Sequence, residues 1–471
     1  MKSILMLIFL IFITGCSSSP KKLYPEINKH MVYINKKGEL KDPTTGKIVT
    51  SDDDINIYIN NIIEDFEKSG KKKITIFIHG GLNTFKNATQ KASQVLENYD
   101  DSESFIIFVG WSAGPYSNYW DHLLFIRNGE RRPHLGPITS PFILIEDIAE
   151  SVSHTPRAIT ESVMSQASVP KPKAFDSKEE KAYRSSLKML ESPKLINIRM
   201  TGETTGLNMK DILPVINPIK FITAPFVDGL GSGAWDSMSR RTELLVYNDS
   251  AFKGQKNVKT GLEKLLVGIE CKEKIDTKSQ INGTEEYLNI DGIRCRKRSE
   301  FQANKPAITL IGHSMGTMVA NNILSRQPDL NYQNIVYMGA AAKLKDLEAN
   351  VVPVLLKHKE TKFYNLSLDP YREISESHML DSVPRGSLLV WIDGYFTRIA
   401  SFNDKTAGNW FNIIRAANII FPDQAKKQVY LTKFGFKSGP QNHGEFDEYK
   451  FWDEEYWKGN KITPLVDIQK K

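Results

Sequence analysis

Ala307-Ile308-Thr309-Leu310-Ile311-Gly312-His313-Ser314-Met315-Gly316-Thr317-Met318-Val319-Ala320 decides the reading of this chain. Five residues, mostly β-branched or apolar, form a short uninterrupted run of the kind that a fully buried parallel strand requires. Gly312 and Gly316 bracket a serine, and an amphipathic segment rich in small residues follows from Thr317 to Arg326. Strand, tight turn and helix in that order suit a Gly-x-Ser-x-Gly turn, which lifts a serine hydroxyl above a sheet edge. The glycines serve because a β-carbon would clash in so tight a turn. The helix N-terminus behind it favours developing negative charge.

A second Gly-x-Ser-x-Gly match, Gly110-Trp111-Ser112-Ala113-Gly114, also follows a strand-like run, Phe105 to Val109. Further upstream, Lys73 to Ile78 reads as a strand ending in His79-Gly80-Gly81. This pairing of turns resembles that of the α/β-hydrolases, in which one further strand separates the oxyanion strand from the nucleophile strand; the resemblance implies that the Phe105 strand is that intervening strand and that Ser112 comes one strand too early. Pro115 also reads as an interruption of the helix that should follow Ser112. Ser314 is therefore the expected nucleophile, and the N–H groups of Gly81 or Leu82, with that of Met315, are the expected oxyanion donors.

Downstream, Ile335 to Met338, Lys362 to Leu368 and Gln428 to Leu431 read as further strands, with a helix near 343–358. Upstream, Ile55 to Phe66 and Ala88 to Tyr99 carry helical periodicity. Strands alternating with helices argue for a parallel sheet covered on both faces. From about 112 to 304 the alternation lapses. Helix-like pieces at Pro141–Ala149, Ser151–Ala167, Met209–Ile222 and Trp235–Tyr247 are joined by Pro-, Gly- and Lys-rich links, which reads as a mainly helical cap. The expected division is a signal peptide over 1–15, a tether and extension over 16–70, core over 71–111, cap over 112–304, and core again over 305–471.

A general base must reach the serine from a loop. Of His358, His378 and His443, the last lies in Gly-Pro-Gln-Asn-His-Gly after the final strand and is the expected base. His358 reads as solvated surface and His378 as a rival. Asp369, immediately after the Phe363 to Leu368 strand, is the expected acid that orients the imidazole. Asp393 is its rival, with Asp381 and Asp404 behind.

Together these residues resemble the α/β-hydrolase superfamily, and within it bacterial hydrolases with a Phe-Ile-His-Gly oxyanion loop, here Phe77 to Thr84. The stretch from Gly110 through Tyr119 and Asp121, and the His313-Ser314-Met315-Gly316 turn, are similar to the same group. The resemblance spans roughly 71–121 and 305–450, and the long segment between departs from it. It implies the α/β-hydrolase fold, lipase- or esterase-like chemistry and no cofactor. A carboxylic ester or lipid is the expected substrate class. Peptidase or acyltransferase chemistry, and an inactive hydrolase-fold module acting as an envelope scaffold, are the competing readings.

The N-terminus carries a different signal. After Met1-Lys2-Ser3, residues Ile4 to Ile13 are all apolar, too short a stretch for a comfortable span and suited to a signal-peptide core. It ends in Ile13-Thr14-Gly15-Cys16, which resembles a bacterial lipobox. That resemblance implies cleavage before Cys16, acylation of its sulfur, and a lipid-anchored protein of the bacterial envelope. Ser17 after the cysteine resembles an outer-membrane sorting signal if the envelope is Gram-negative. Two or more acyl chains hold a protein on a bilayer durably. With Cys16 lipidated, Cys271 and Cys295 remain as a candidate disulfide for an oxidising compartment.

The chain has 471 residues, 40% hydrophobic and 25% charged, enough for a large core. A net charge of +7 is slight over that length. No zinc spacing or basic–aromatic interleaving is present, so neither a metal site nor a nucleic-acid partner is expected. The sequence leaves the oligomeric state open.

Overall fold

A computed structural model of the chain describes residues 23–127, 130–167, 196–202, 218–246, 260–270, 287–290, 293–296, 305–378, 381–397 and 399–466. The protein is α/β, with a nine-stranded, mostly parallel sheet between two layers of helices. In chain order the strands are β1 (Met31–Ile34), β2 (Leu40–Lys41), β3 (Lys73–Ile78), β4 (Ser104–Trp111), β5 (Asn197–Thr201), β6 (Ala307–His313), β7 (Tyr332–Met338), β8 (Lys362–Leu368) and β9 (Val429–Phe434). Their spatial order is β2-β1-β4-β3-β6-β7-β8-β9-β5, and only the β1–β2 pair is antiparallel.

The central strands are apolar on both faces because both faces are covered. Ile74, Ile76 and Ile78 of β3, Phe105, Ile107 and Val109 of β4, and Leu310 of β6 point to one core. Phe77, Ile106, Phe108 and Ile311, the alternate residues, point to the other. On the first face lie α1 (Asp52–Lys68), α7 (Gly261–Glu270), α8 (Gly316–Arg326) and α10 (Trp410–Ile420). On the second lie α2 (Phe85–Asn98) and the C-terminal segment with Phe451, Tyr456 and Trp457. Ser51 starts α1 by accepting the Asp54 N–H, and Thr84 caps α2 in the same way from Asn87.

Between the two halves run α3 (Pro115–Leu124), α4 (Gly136–Ser153), α5 (Thr155–Ala167) and α6 (Pro218–Leu244); a short α9 (Pro370–Ser375) follows β8. Four expectations change here. Residues 16–70 are not a mere extension: β1 pairs with β4 and α1 packs on the core. Residues 112–304 are not wholly a cap, since β5 joins the main sheet beside β9 and α7 packs against α1, where Lys264 meets Asp52 and Asn56. Pro218 to Ile222 and Trp235 to Leu244, described parts of two pieces read as separate helices, belong to one helix, α6. Pro115 does not interrupt the helix after Ser112. It opens α3 at the first helical position, where its missing N–H has no partner to lose.

Candidate active site

The turn from β6 to α8 holds Ser314 at φ +51°, a left-handed conformation rare for a residue with a β-carbon. The backbone around it fixes this geometry. Ser314 N–H donates to the Met338 carbonyl (2.8 Å), and the Ser314 carbonyl accepts from Ala341 N–H (3.2 Å) and from the Thr317 hydroxyl (2.7 Å). The flanking glycines answer to close packing. A β-carbon on Gly316 would stand 2.3 Å from the Ile78 carbonyl oxygen, and one on Gly312 would stand 2.9 Å from the Thr317 backbone.

His443 reaches this serine from the loop after β9. Its Nε2 lies 2.8 Å from Ser314 Oγ, and both side chains are buried. Asn442 caps a 3-10 turn that begins at His443, and the His443 N–H donates to Glu376 Oε2 (2.9 Å). Gly339 closes the other side of the ring: a β-carbon there would stand 3.0 Å from His443 Cε1.

The carboxylate facing the imidazole is Glu373 on α9, not Asp369. His443 Nδ1 and Glu373 Oε1 stand 4.0 Å apart, an ion-pair distance rather than a hydrogen bond, and both are buried without a hydrogen-bond partner among the described residues. The Ser387 hydroxyl and N–H hold the rest of Glu373, bonding its Oε2 and its backbone carbonyl. Burial alone would lower the His443 pKa, but Glu373, Glu376 and Asp447 outweigh it and hold the pKa above the ordinary 6.5.

Asp369 is engaged elsewhere. Its Oδ1 caps α9 by accepting the Tyr371 N–H (3.0 Å), and its Oδ2 pairs with Lys433 (3.0 Å). It starts the helix that presents Glu373 one turn later. The rivals are also structural: Asp393 accepts from Thr406 and Asn412, Asp381 pairs with Lys220 and Arg385, and Asp404 pairs with Lys345. His378 faces the Gly386 carbonyl. His358 is half-buried against the Pro328 carbonyl rather than solvated.

The His79-Gly80-Gly81 turn lies against Ser314 and Met315. A β-carbon on Gly80 would stand 3.0 Å from Ser314 Cβ, and one on Gly81 would stand 2.6 Å from Met315 Sδ. Leu82 is not available as a donor, because its N–H bonds the Ala113 carbonyl (2.9 Å). That leaves the N–H groups of Gly81 and Met315 as the candidates. His79 braces the turn from below. Its Nε2 accepts the Trp111 N–H (3.0 Å), so the proton sits on Nδ1 and is donated to the Gly80 carbonyl (2.6 Å). Burial pulls the His79 pKa down to about 4, so the ring is neutral.

His313 adds a contact that the sequence did not single out. Its Nε2 donates to the His443 carbonyl (3.0 Å), and its Nδ1 faces Asp447 Oδ2 at 3.6 Å. Asp447 in turn pairs with Lys91 on α2 (2.5 Å). Burial pushes the Asp447 carboxyl up, but Lys91 and His313 outweigh it and hold it well below the usual carboxylate range. A cavity of about 370 Å³ lies under α2, walled by Phe77, Phe108, Phe451, Lys91 and Asp447. Ser314 does not line it.

Ser112 stands at the end of β4, two strands from β6 in the sheet, with its hydroxyl 3.3 Å from Tyr33 Oη. Arg241 of α6 bonds its carbonyl and pairs with buried Asp121. Cys16 and Cys271 lie outside the described residues, as does the side chain of Cys295, and so do both the lipidation site and the disulfide expected from the sequence. Among the described residues no group of three or more His, Cys, Asp and Glu is placed to hold a metal ion, and no helix is long and apolar enough to cross a membrane.

No protein-family model matches the chain, and no curated protein or solved structure matches it either.

Proposed function

We propose that the protein is a serine hydrolase of the α/β-hydrolase fold that cleaves carboxylic esters, lipid esters foremost, while held on a bacterial envelope membrane through lipidated Cys16. The observation that carries the catalytic part is the 2.8 Å approach of His443 Nε2 to the hydroxyl of Ser314, a residue at φ +51° on a strand-to-helix turn. Backbone strain at such a residue costs about 1–3 kcal/mol and clusters at active sites, where an adjacent imidazole activates the hydroxyl.

In this reading Ser314 Oγ attacks the ester carbonyl carbon as its proton passes to His443 Nε2. The carbonyl oxygen becomes an oxyanion held by the Gly81 and Met315 N–H groups. The imidazolium, stabilised by the Glu373 carboxylate, returns the proton to the departing alkoxide. Water then repeats the cycle on the acyl-enzyme and releases the acid. The preference for esters of lipids rests on the apolar cap helices and the N-terminal signal.

A fluorophosphonate probe tests the assignment. Wild-type protein and Ser112→Ala should label, and Ser314→Ala should not. Labelling that survives Ser314→Ala removes the proposed nucleophile. Incorporation of a palmitate analogue that is lost in Cys16→Ser tests the anchor separately.

A further inference from the structure

Two neighbouring helices of this protein are inside out. In α4 the buried positions are Gly136, Asp147 and Ser151, whereas Ile138, Phe142, Ile145 and Val152 are 72, 71, 63 and 67% exposed. Their spacing puts all four on one stripe, with Leu144 and Ile148 exposed beside it. Glu146 and Ser153 border the stripe and do not interrupt it. The first half of α6 repeats the pattern. Lys220 and Asp228 are fully buried beside the small Ala224, while the larger Ile219, Ile222 and Phe226 face outward.

The inversion is fixed by polar bonds on the inner side. Asp147 accepts from the Tyr119 hydroxyl (2.9 Å) and faces His122 Nε2 (3.2 Å). Asp228 pairs with His154 (2.8 Å), and Lys220 pairs with Asp381 (2.6 Å). The two helices touch where a β-carbon on Gly229 would collide with Ser151 Oγ. Rolling α4 over to hide its isoleucines would break these bonds, so the apolar stripe stays outward. An apolar surface of this extent, next to buried and paired ionisable groups, is the arrangement that lipid selects when it replaces water outside a helix.

We propose that the outward faces of α4 and of the first half of α6 seat in the interfacial layer of the lipid bilayer. The proposal rests on the membrane attachment argued above. Neither helix is long and apolar enough to cross, so both would lie along the surface. Lipidated Cys16 would hold the same chain at the same surface, which favours lipid over a second protein as the cover. Docked in this way, the cap would draw ester substrate from the bilayer itself.

The test uses the full chain in vesicles of phosphatidylethanolamine and phosphatidylglycerol doped with a phospholipid that carries a diazirine on its acyl chain. After irradiation, lipid adducts are located by peptide mass spectrometry. Adducts are expected within 138–152 and 219–226 as well as near the N-terminus. The triple variant Ile138→Gln, Phe142→Gln, Ile145→Gln should lose those on α4 and keep the N-terminal ones, with an unchanged circular-dichroism spectrum and urea midpoint as proof of folding. Adducts confined to the N-terminus overturn the docking and leave the anchor standing; cover by a second copy or by residues 203–217 gives that result. Absence of adducts everywhere overturns both.

Discussion

His313 Nε2 bonds the backbone carbonyl of His443 at 3.0 Å, so the residue before the candidate nucleophile holds the candidate base. The same ring faces Asp447 at 3.6 Å, and Asp447 is tied to Lys91. Replacing His313 by Ala leaves the buried His443 carbonyl without this donor, at a cost of about 1–3 kcal/mol. The expected kinetic signature is a fall in kcat with little change in KM, because the ring positions His443 and is not placed to touch substrate. His313→Gln, which can still donate to the carbonyl, should recover part of the loss. Equal damage by both variants, or an effect confined to KM, would remove the positioning role.

Glu373 and Asp369 make opposite predictions. Glu373→Gln removes the charge opposite His443 Nδ1 and should lower kcat by roughly 10²–10⁴-fold, the range seen when the orienting acid of a triad is neutralised. Asp369→Asn keeps the helix cap but loses the Lys433 pair. Its expected cost is about 1–3 kcal/mol of stability, measured by denaturant unfolding, with less than about a tenfold change in kcat. A reversed order of the two kcat values would return the orienting role to Asp369.

That comparison also marks what the sequence could and could not disclose. The central strands were legible because burial on both faces makes them continuous apolar runs, and β3, β6 and β8 begin where those runs begin. Ser314 was separable from Ser112 by strand order, and His443 by its place in a loop after β9. Glu373 was not, because the carboxylate nearest a strand end in sequence is a helix cap, and the one that faces His443 emerges only when α9 turns once. Asp369-Pro370 followed by Glu373 was the available signal: a capping residue, Pro at the first position, and an acid on the next turn. β5 was hidden for a different reason. Asn197 to Thr201 is an edge strand with none of its five residues buried, so it lacks the apolar signature of the centre.

The pH dependence follows from three groups. The base must be neutral to accept the serine proton, and its carboxylate neighbours hold the His443 pKa above 6.5. The acid limb of the kcat/KM profile should therefore have a midpoint above 6.5, and Glu373→Gln should move it to lower pH. For stability the signs differ. A raised His443 pKa adds stability that is complete below about 6.5 and is lost as pH rises through the folded value. His79, depressed to about 4, removes stability as pH falls from 6.5 toward 4. Asp447, also depressed, adds stability that is present above the usual carboxylate range and is lost only in strong acid. Urea unfolding from pH 4 to 8 should show the His79 loss on the acid side, and His79→Gln should flatten it. An acid limb with its midpoint below 6.5 in the wild type would contradict the carboxylate environment described for His443.

His79 also separates bracing from chemistry. Its two ring nitrogens are both occupied, one by Trp111 N–H and one by the Gly80 carbonyl, and the ring stays neutral across the working range. It cannot act as a second base while so bound. Its removal should instead loosen the turn that carries Gly81. His79→Ala should slow fluorophosphonate labelling and lower kcat by roughly 10–10³-fold, the range for a displaced oxyanion donor, and leave the midpoint of the acid limb unmoved. A shift of that midpoint in His79→Ala would mean that His79, and not His443 alone, titrates in the reaction.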